Sequence, residues 1–296
     1  MADPFDPAHL IGHVKDADYF EVSKTLVPGG KVTIPQPFAH AKGIELKTGF
    51  APLDERIEPL DGHVTKFMVL EVVAAFLVAV IFIRLAHRCS SGAAPRGRLW
   101  NLFEAMLVFI RDEVARPAIG KHDADKFLPF LLTVFFFILA CNLLGLIPWL
   151  GSPTGALATT GAMAFCTLIA VVGSGMAKLG PVHFWAAQVP HMDLPLPLAI
   201  LLKPMIFFIE ILGMCIKHFI LAMRLLANMM AGHLVLAVIV GFIAASAGHL
   251  AWWGVMPASV FGATALSLLE LFVAFLQAYI FTFLSALFIG MAVHPH

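Results

Sequence analysis

The sequence predicts an all-α polytopic membrane protein with five membrane-crossing helices and one amphipathic surface helix. Three observations carry that expectation. Of 296 residues, 60% are hydrophobic and 13% charged, against about half and about a quarter in an ordinary soluble domain. The mean hydropathy is +0.89, more apolar surface than a soluble chain of this size can bury. The apolar residues also gather into runs long enough to cross ~30 Å of hydrocarbon. Two regions follow: a polar extramembrane arm over 1–63 and a membrane-embedded helical domain over 64–296. A net charge of zero leaves no basic field for nucleic acid.

The arm holds ten Asp/Glu and six Lys/Arg and is punctuated by Pro28-Gly29-Gly30 and Pro35-Gln36-Pro37, so it reads as loosely structured. Its first ten residues lack the basic and apolar stretches of a signal peptide. Phe67 to Ile83 is the first span. Arg84, Arg88, Arg96 and Arg98 beyond it mark the cytoplasmic side and leave the arm outside. In Leu99 to Val114, the residues Leu99, Leu102, Phe103, Met106, Ile110 and Val114 recur at helical spacing, with Glu104, Arg111 and Asp112 largely off that stripe. This segment is the surface helix. Phe127 to Pro148 is the second span and Ala156 to Ala177 the third, joined by an uncharged outer hairpin. Lys178 and a Pro-rich loop (Pro181, Pro190, Pro195, Pro197) lie inside.

Leu198 to Ala247 is apolar over fifty residues, which fits two ordinary spans or one helix of ~75 Å. Such a helix is more than twice the bilayer and must tilt or bend. A break over Gly248 to Pro257 carries Trp252 and Trp253, suited to an interface. Ala258 to Met291 is the last helix, again longer than one span needs. Five crossings return the C-terminus to the inside.

Ionisable groups inside a membrane are costly and point to function. Glu210, Lys217 and Arg224 are spaced by seven and share a helical stripe that Asn228 continues. On the last helix Ser267, Glu270 and Gln277 share a face, and Ala263 and Ala274 allow close helix approach. Arg224 stays charged at any accessible pH, so it needs an anion, a water-filled cleft or a structural salt bridge to Glu210 or Glu270. His233 and Glu270 can together pass protons through water, while Asn228 and Gln277 either orient water or bridge helices. No metal or cofactor is expected. The cysteines Cys89, Cys141, Cys166 and Cys215 have no C-x-x-C spacing and read as small buried apolar residues. No H-E-x-x-H, P-loop or G-x-G-x-x-G string is present. On these residues alone a self-contained secondary ion or anion transporter remains the alternative, although the inverted repeats that would favour it are not seen.

The string Met223-Arg224-Leu225-Leu226-Ala227-Asn228-Met229-Met230-Ala231-Gly232-His233-Leu234 resembles the R-L-x-x-N-x-x-A-G-[EH]-L pattern of the a subunit of F-type ATP synthases. Asn142-Leu143-Leu144-Gly145-Leu146-Ile147-Pro148 is similar to that family's hairpin motif, and Leu268 to Phe281 to its last helix. The three occur in the family's order, and the likeness covers roughly residues 60–296. It implies a non-catalytic stator subunit that forms two aqueous half-channels, carrying protons to and from a rotating ring of c subunits and so coupling proton translocation to ATP synthesis. Arg224 would face the ring. Asn228, His233, Glu270 and Gln277 would line the outer half-channel, and Glu210 and Lys217 the inner one. The implied partners are the c-subunit ring, the peripheral-stalk b subunits, other ATP synthase subunits and the lipid bilayer. ATP chemistry belongs to other subunits. The implied location is a bacterial inner membrane, with an organellar inner membrane fitting the same hydropathy. One departure stands out: His218-Phe219-Ile220 replaces the family's usual Pro-[IVL]-Ser before the arginine.

Overall fold

A computed structural model describes residues 16–21, 31–36, 64–90, 97–147, 150–189 and 196–294. Most of the arm, with Arg96, Pro148, Pro190 and Pro195, lies outside the described residues. Among the described residues, five helices are long and apolar enough to cross a membrane. The chain is an all-α polytopic membrane protein, as its composition predicts.

The described parts of the arm are more ordered than a polar, Pro-rich stretch suggests. Strands β1 (Tyr19–Glu21) and β2 (Lys31–Thr33) pair antiparallel, with Phe20 opposite Val32. This ribbon is tied to the start of helix α1 (Lys66–Ser90). The Lys66 N–H donates to the Ala17 carbonyl at 2.8 Å and the Phe67 N–H to Asp16 Oδ1 at 3.3 Å. Gln36 meets the backbone of Val64 twice, each time at 2.8 Å. Helix starts carry N–H groups with no partner in the helix, and here the ribbon supplies acceptors for them.

Helix α1 presents Phe67, Leu70, Ala74 and Leu85 inward and leaves Val72 and Phe76 exposed. Its Glu71 Oε1 accepts a 2.6 Å bond from the Thr159 hydroxyl, so this intramembrane carboxylate is held by a neighbouring helix. Helix α2 (Arg98–Phe109) runs on through a π-helical turn, Ile110–Ala115, into the short α3 (Arg116–Ile119). The predicted apolar stripe is covered unevenly. Ile110 and Val114 are fully buried, whereas Leu99 and Leu102 at its start are exposed. Asp112 accepts from Arg111 at 3.0 Å and from Arg116 at 2.7 Å on the polar side.

Helix α4 (Ala124–Gly145) is central. Leu131, Ile138, Cys141 and Asn142 are fully buried, and the core joins Leu131 and Ile138 to Ile110, Val114, Phe281 and Ile289 of other helices. After the outer hairpin come α5 (Leu157–Leu179) and the short α6 (Pro181–Ala187). The fifty-residue apolar stretch is one helix, α7 (Leu196–Ala245), which resolves the two-span alternative. The last helix, α8 (Trp252–Val293), starts six residues earlier than the sequence suggests. Pro257 falls in its second turn, near an end where few backbone bonds are at stake. At 1.5 Å per residue these helices reach ~75 and ~63 Å, so both must tilt across ~30 Å of hydrocarbon or project beyond it.

Burial is uneven across the spans. In the most apolar stretch of α4, 44% of residues are buried, against 6% in α7. Helix α7 thus shows most of its surface, including Phe208, Ile209, Leu212, Ile216, Phe219 and Ile220, to its surroundings. The reading of the cysteines needs correction. Cys141 is buried, but Cys166 and Cys215 are exposed on helix faces that carry other outward apolar groups. In a membrane chain an apolar side chain need not be covered by protein, so hydropathy does not separate the two cases.

Candidate functional site

Helices α7 and α8 pack against each other and against α4, α5 and the outer hairpin. The hairpin is fixed by a chain of side-chain bonds. Ser152 and Thr154 share a 2.9 Å hydroxyl contact, the Thr154 hydroxyl donates to Asn142 Oδ1 at 2.8 Å, and Asn142 Nδ2 donates to the Ala274 carbonyl of α8 at 3.2 Å. Gly145 is required here, because a Cβ would sit 2.5 Å from the Ser152 hydroxyl and 2.9 Å from the end of Met229. The motif read in the sequence as a hairpin is therefore also a clamp that sets α4 against α8.

Two cavities lie along the α7–α8 pair. One, of about 200 Å³, is lined by Asn228, His233 and Gly232 of α7, by Glu270 of α8 and by Leu146 of the hairpin. Glu270 Oε1 and His233 Nε2 are buried with no hydrogen-bond partner. Gly232 makes the room: a Cβ there would overlap Glu270 Oε1 and stand 3.0 Å from its Cδ. The second cavity, of about 300 Å³, is lined by Glu210, Lys217 and His218 of α7, by Gln188, by Phe288 of α8 and by His294 just past its end.

The second cavity opens near a charged cluster. Asp123, ahead of α4, accepts from Lys178 and, at 3.1 Å, from Lys126, and its Oδ2 lies 3.6 Å from His294 Nε2. Bonds from Lys178 and then Lys126 hold the Asp123 carboxyl down to about 2. The positive-inside rule predicts that this end, shared by Lys178, Lys126 and Arg116, is the cytoplasmic one and the Trp252–Trp253 end the external one, and the cavities are called inner and outer on that expectation.

Between the cavities the helices are tightly packed. Leu221, Ala222 and Leu225 of α7 and Ala278, Phe281 and Thr282 of α8 are buried. Arg224 lies in this interval and lines neither cavity. Its side chain is exposed on α7, and among the described residues it makes no ion pair. The alternative of a salt bridge to Glu210 or Glu270 is not what this chain forms.

The seven residues singled out in the sequence thus fall into four places. Asn228, His233 and Glu270 meet at the outer cavity, and Glu210 and Lys217 at the inner one. Arg224 stands alone on the uncovered face. Gln277 is buried in the α8 packing and lines neither cavity. Residues that the sequence reading passed over include Gly232, His294 and Thr159. Gly232 is a fixed position of the motif around Arg224, but its role, like those of His294 and Thr159, comes from a group distant in sequence.

Residues 68–290 match the model of a family described as ATP synthase A chain. A protein of Myxococcus xanthus named ATP synthase subunit a is 43% identical over 244 residues, covering 80% of this chain and 76% of that one. Another of the same name from Chloroherpeton thalassium is 39% identical over 236 residues, covering 79% and 67%. With the motifs around Arg224 and Asn142 and the long α7–α8 pair, these matches show that the chain belongs to the family of ATP synthase subunit a.

Proposed function

We propose that the chain is the stator half of a proton turbine, a non-catalytic subunit whose two cavities are the outer and inner half-channels serving a ring of c subunits. The single observation that carries this reading is the placement of Arg224, which is exposed and without an ion pair in a packed interval between two cavities that each carry ionisable side chains. An arginine in that position requires an anion from outside the chain, and a c-ring carboxylate supplies one.

A proton arriving from outside passes Asn228, His233 and Glu270 and neutralises a ring carboxylate, which can then turn into lipid. After most of a revolution the acid form reaches the inner cavity and releases its proton past Glu210 and Lys217. The packed layer blocks direct crossing, and the fixed charge of Arg224 repels any cation that attempts it. Each charge moved gains about 2.3 kcal/mol per 100 mV. The ring would cover the exposed face of α7, and peripheral-stalk b subunits would hold the chain still against it. Catalysis on ATP belongs to other subunits. A bacterial inner membrane is the proposed location.

Inverted membrane vesicles carrying the assembled complex test this. Arg224→Ala is expected to abolish ATP-driven acidification while the complex still assembles. Retained coupled pumping in that variant would make Arg224 a structural charge and overturn the reading.

A further inference from the structure

We infer that His218 is the proton-relay residue of the inner cavity, taking up and releasing protons at Nε2. This rests on the stator reading above and names the group that serves its inner half.

His218 is 4% exposed. Its Nδ1 lies 2.9 Å from the Met214 carbonyl of the preceding turn. A carbonyl only accepts, so in the neutral ring Nδ1 carries the hydrogen and Nε2 carries a lone pair. That Nε2 is buried with no hydrogen-bond partner, and the side chain lines the cavity of about 300 Å³. The ring is held by Phe288 with centroids 5.2 Å apart. The imidazole stands in the wall of this cavity with one nitrogen lacking a partner, so water entering the cavity needs only a small ring or side-chain movement to reach it, and the cavity has room for several waters at ~30 Å³ each.

The groups facing it are few. Helix α7 contributes Glu210 and Lys217, the end of α8 contributes His294, and Gln188 adds an amide; α5 presents only Val171 there. His294 in turn reaches Asp123 at the cytoplasmic surface. His218 is the deepest of the cavity's ionisable residues along α7, six positions or ~9 Å of rise from Arg224.

The transfer balances simply. A ring carboxylic acid gives its proton to cavity water. The proton adds to the Nε2 lone pair, forming imidazolium, while Nδ1–H keeps its bond to the Met214 carbonyl. Nε2–H then gives the proton to water near Glu210 and His294, and the ring returns to its starting tautomer. Pumping runs the same steps backwards.

The test uses inverted vesicles with the full complex, pumping rates being taken relative to ATP hydrolysis by the detached catalytic head. In wild type the normalised rate is expected to fall as the pH on the cytoplasmic side is raised. His218→Gln and the smaller His218→Asn are expected to pump about tenfold more slowly, Glu210 retaining part of the flow, and to lose that pH dependence. Added imidazole is expected to raise the rate of His218→Ala. Normal rate and an unchanged profile in either assembled variant would overturn the relay. If neither assembles, a wild-type rate that does not change with cytoplasmic-side pH anywhere between about pH 5 and 8 would overturn it. Arg224→Ala in the same vesicles separates the two proposals: pumping that survives that change sinks the stator reading, whereas its loss beside an unaffected His218→Gln sinks only the relay.

Discussion

The outer and inner cavities flank the same arginine but are built in different ways. The outer one is the smaller, about 200 Å³ against about 300 Å³. Its ionisable pair is split across two helices, His233 on α7 and Glu270 on α8, and each keeps a polar atom without a partner. Its width is set by the absence of a side chain at Gly232. The inner cavity draws Glu210, Lys217 and His218 from α7 alone and empties beside a surface cluster around Asp123. The outer site therefore depends on helix spacing, and the inner site chiefly on the charges of α7, with His294 added from the end of α8.

That contrast can be broken at its most sensitive point first. Glu270→Gln keeps the shape of the outer cavity and removes its only carboxylate. ATP-driven pumping is expected to fall about a hundredfold, the scale of a positioned proton-transfer group. Gly232→Ala adds one methyl against the Glu270 carboxyl. Because small displacements of a reacting group cost rate steeply, a loss of about tenfold is expected per assembled complex. An alanine variant that pumped normally would show that helix spacing does not set the outer site.

Asn142→Ala acts on the clamp and not on either cavity. It leaves the Thr154 hydroxyl and the Ala274 carbonyl without their partner, a cost of about 1–3 kcal/mol. The thermal stability of the detergent-solubilised complex should drop, with near-normal pumping by the complexes that remain. The smallest effect is expected at Asp123. Its carboxyl titrates lower in the folded chain than in an unfolded one, so its contribution is complete above the ordinary carboxylate range and fades as pH falls toward about 2. The difference in thermal stability between wild type and Asp123→Asn should therefore be constant near neutrality and close on acidification.

Much of this was legible in the sequence because the bilayer limits the choices. Apolar runs give the spans, and the seven-residue spacing of Glu210 and Lys217 puts both on the face of α7 that lines the inner cavity. Other features were not legible for physical reasons. Whether Leu198 to Ala247 folded back was not legible, because an apolar run of fifty residues has the same hydropathy as one helix or two. The exposure of Cys166 and Cys215 is invisible because lipid and protein interior are equally apolar. Gln277, on the face of Glu270, was expected in the outer channel, yet a shift of two turns places it in packed protein. The Thr159–Glu71 bond and the fit of Gly232 to Glu270 join residues far apart in the chain, so even the motif that contains Gly232 does not say what its missing side chain makes room for.

The central claim is that the two cavities open to opposite sides of the membrane with no passage between them. In a cysteine-free chain within the assembled complex, Asn228→Cys and Glu210→Cys can each be treated with a membrane-impermeant thiol reagent from either face. The account predicts that Asn228→Cys is modified only from outside and Glu210→Cys only from the cytoplasmic face. Modification of both from the same side would contradict it.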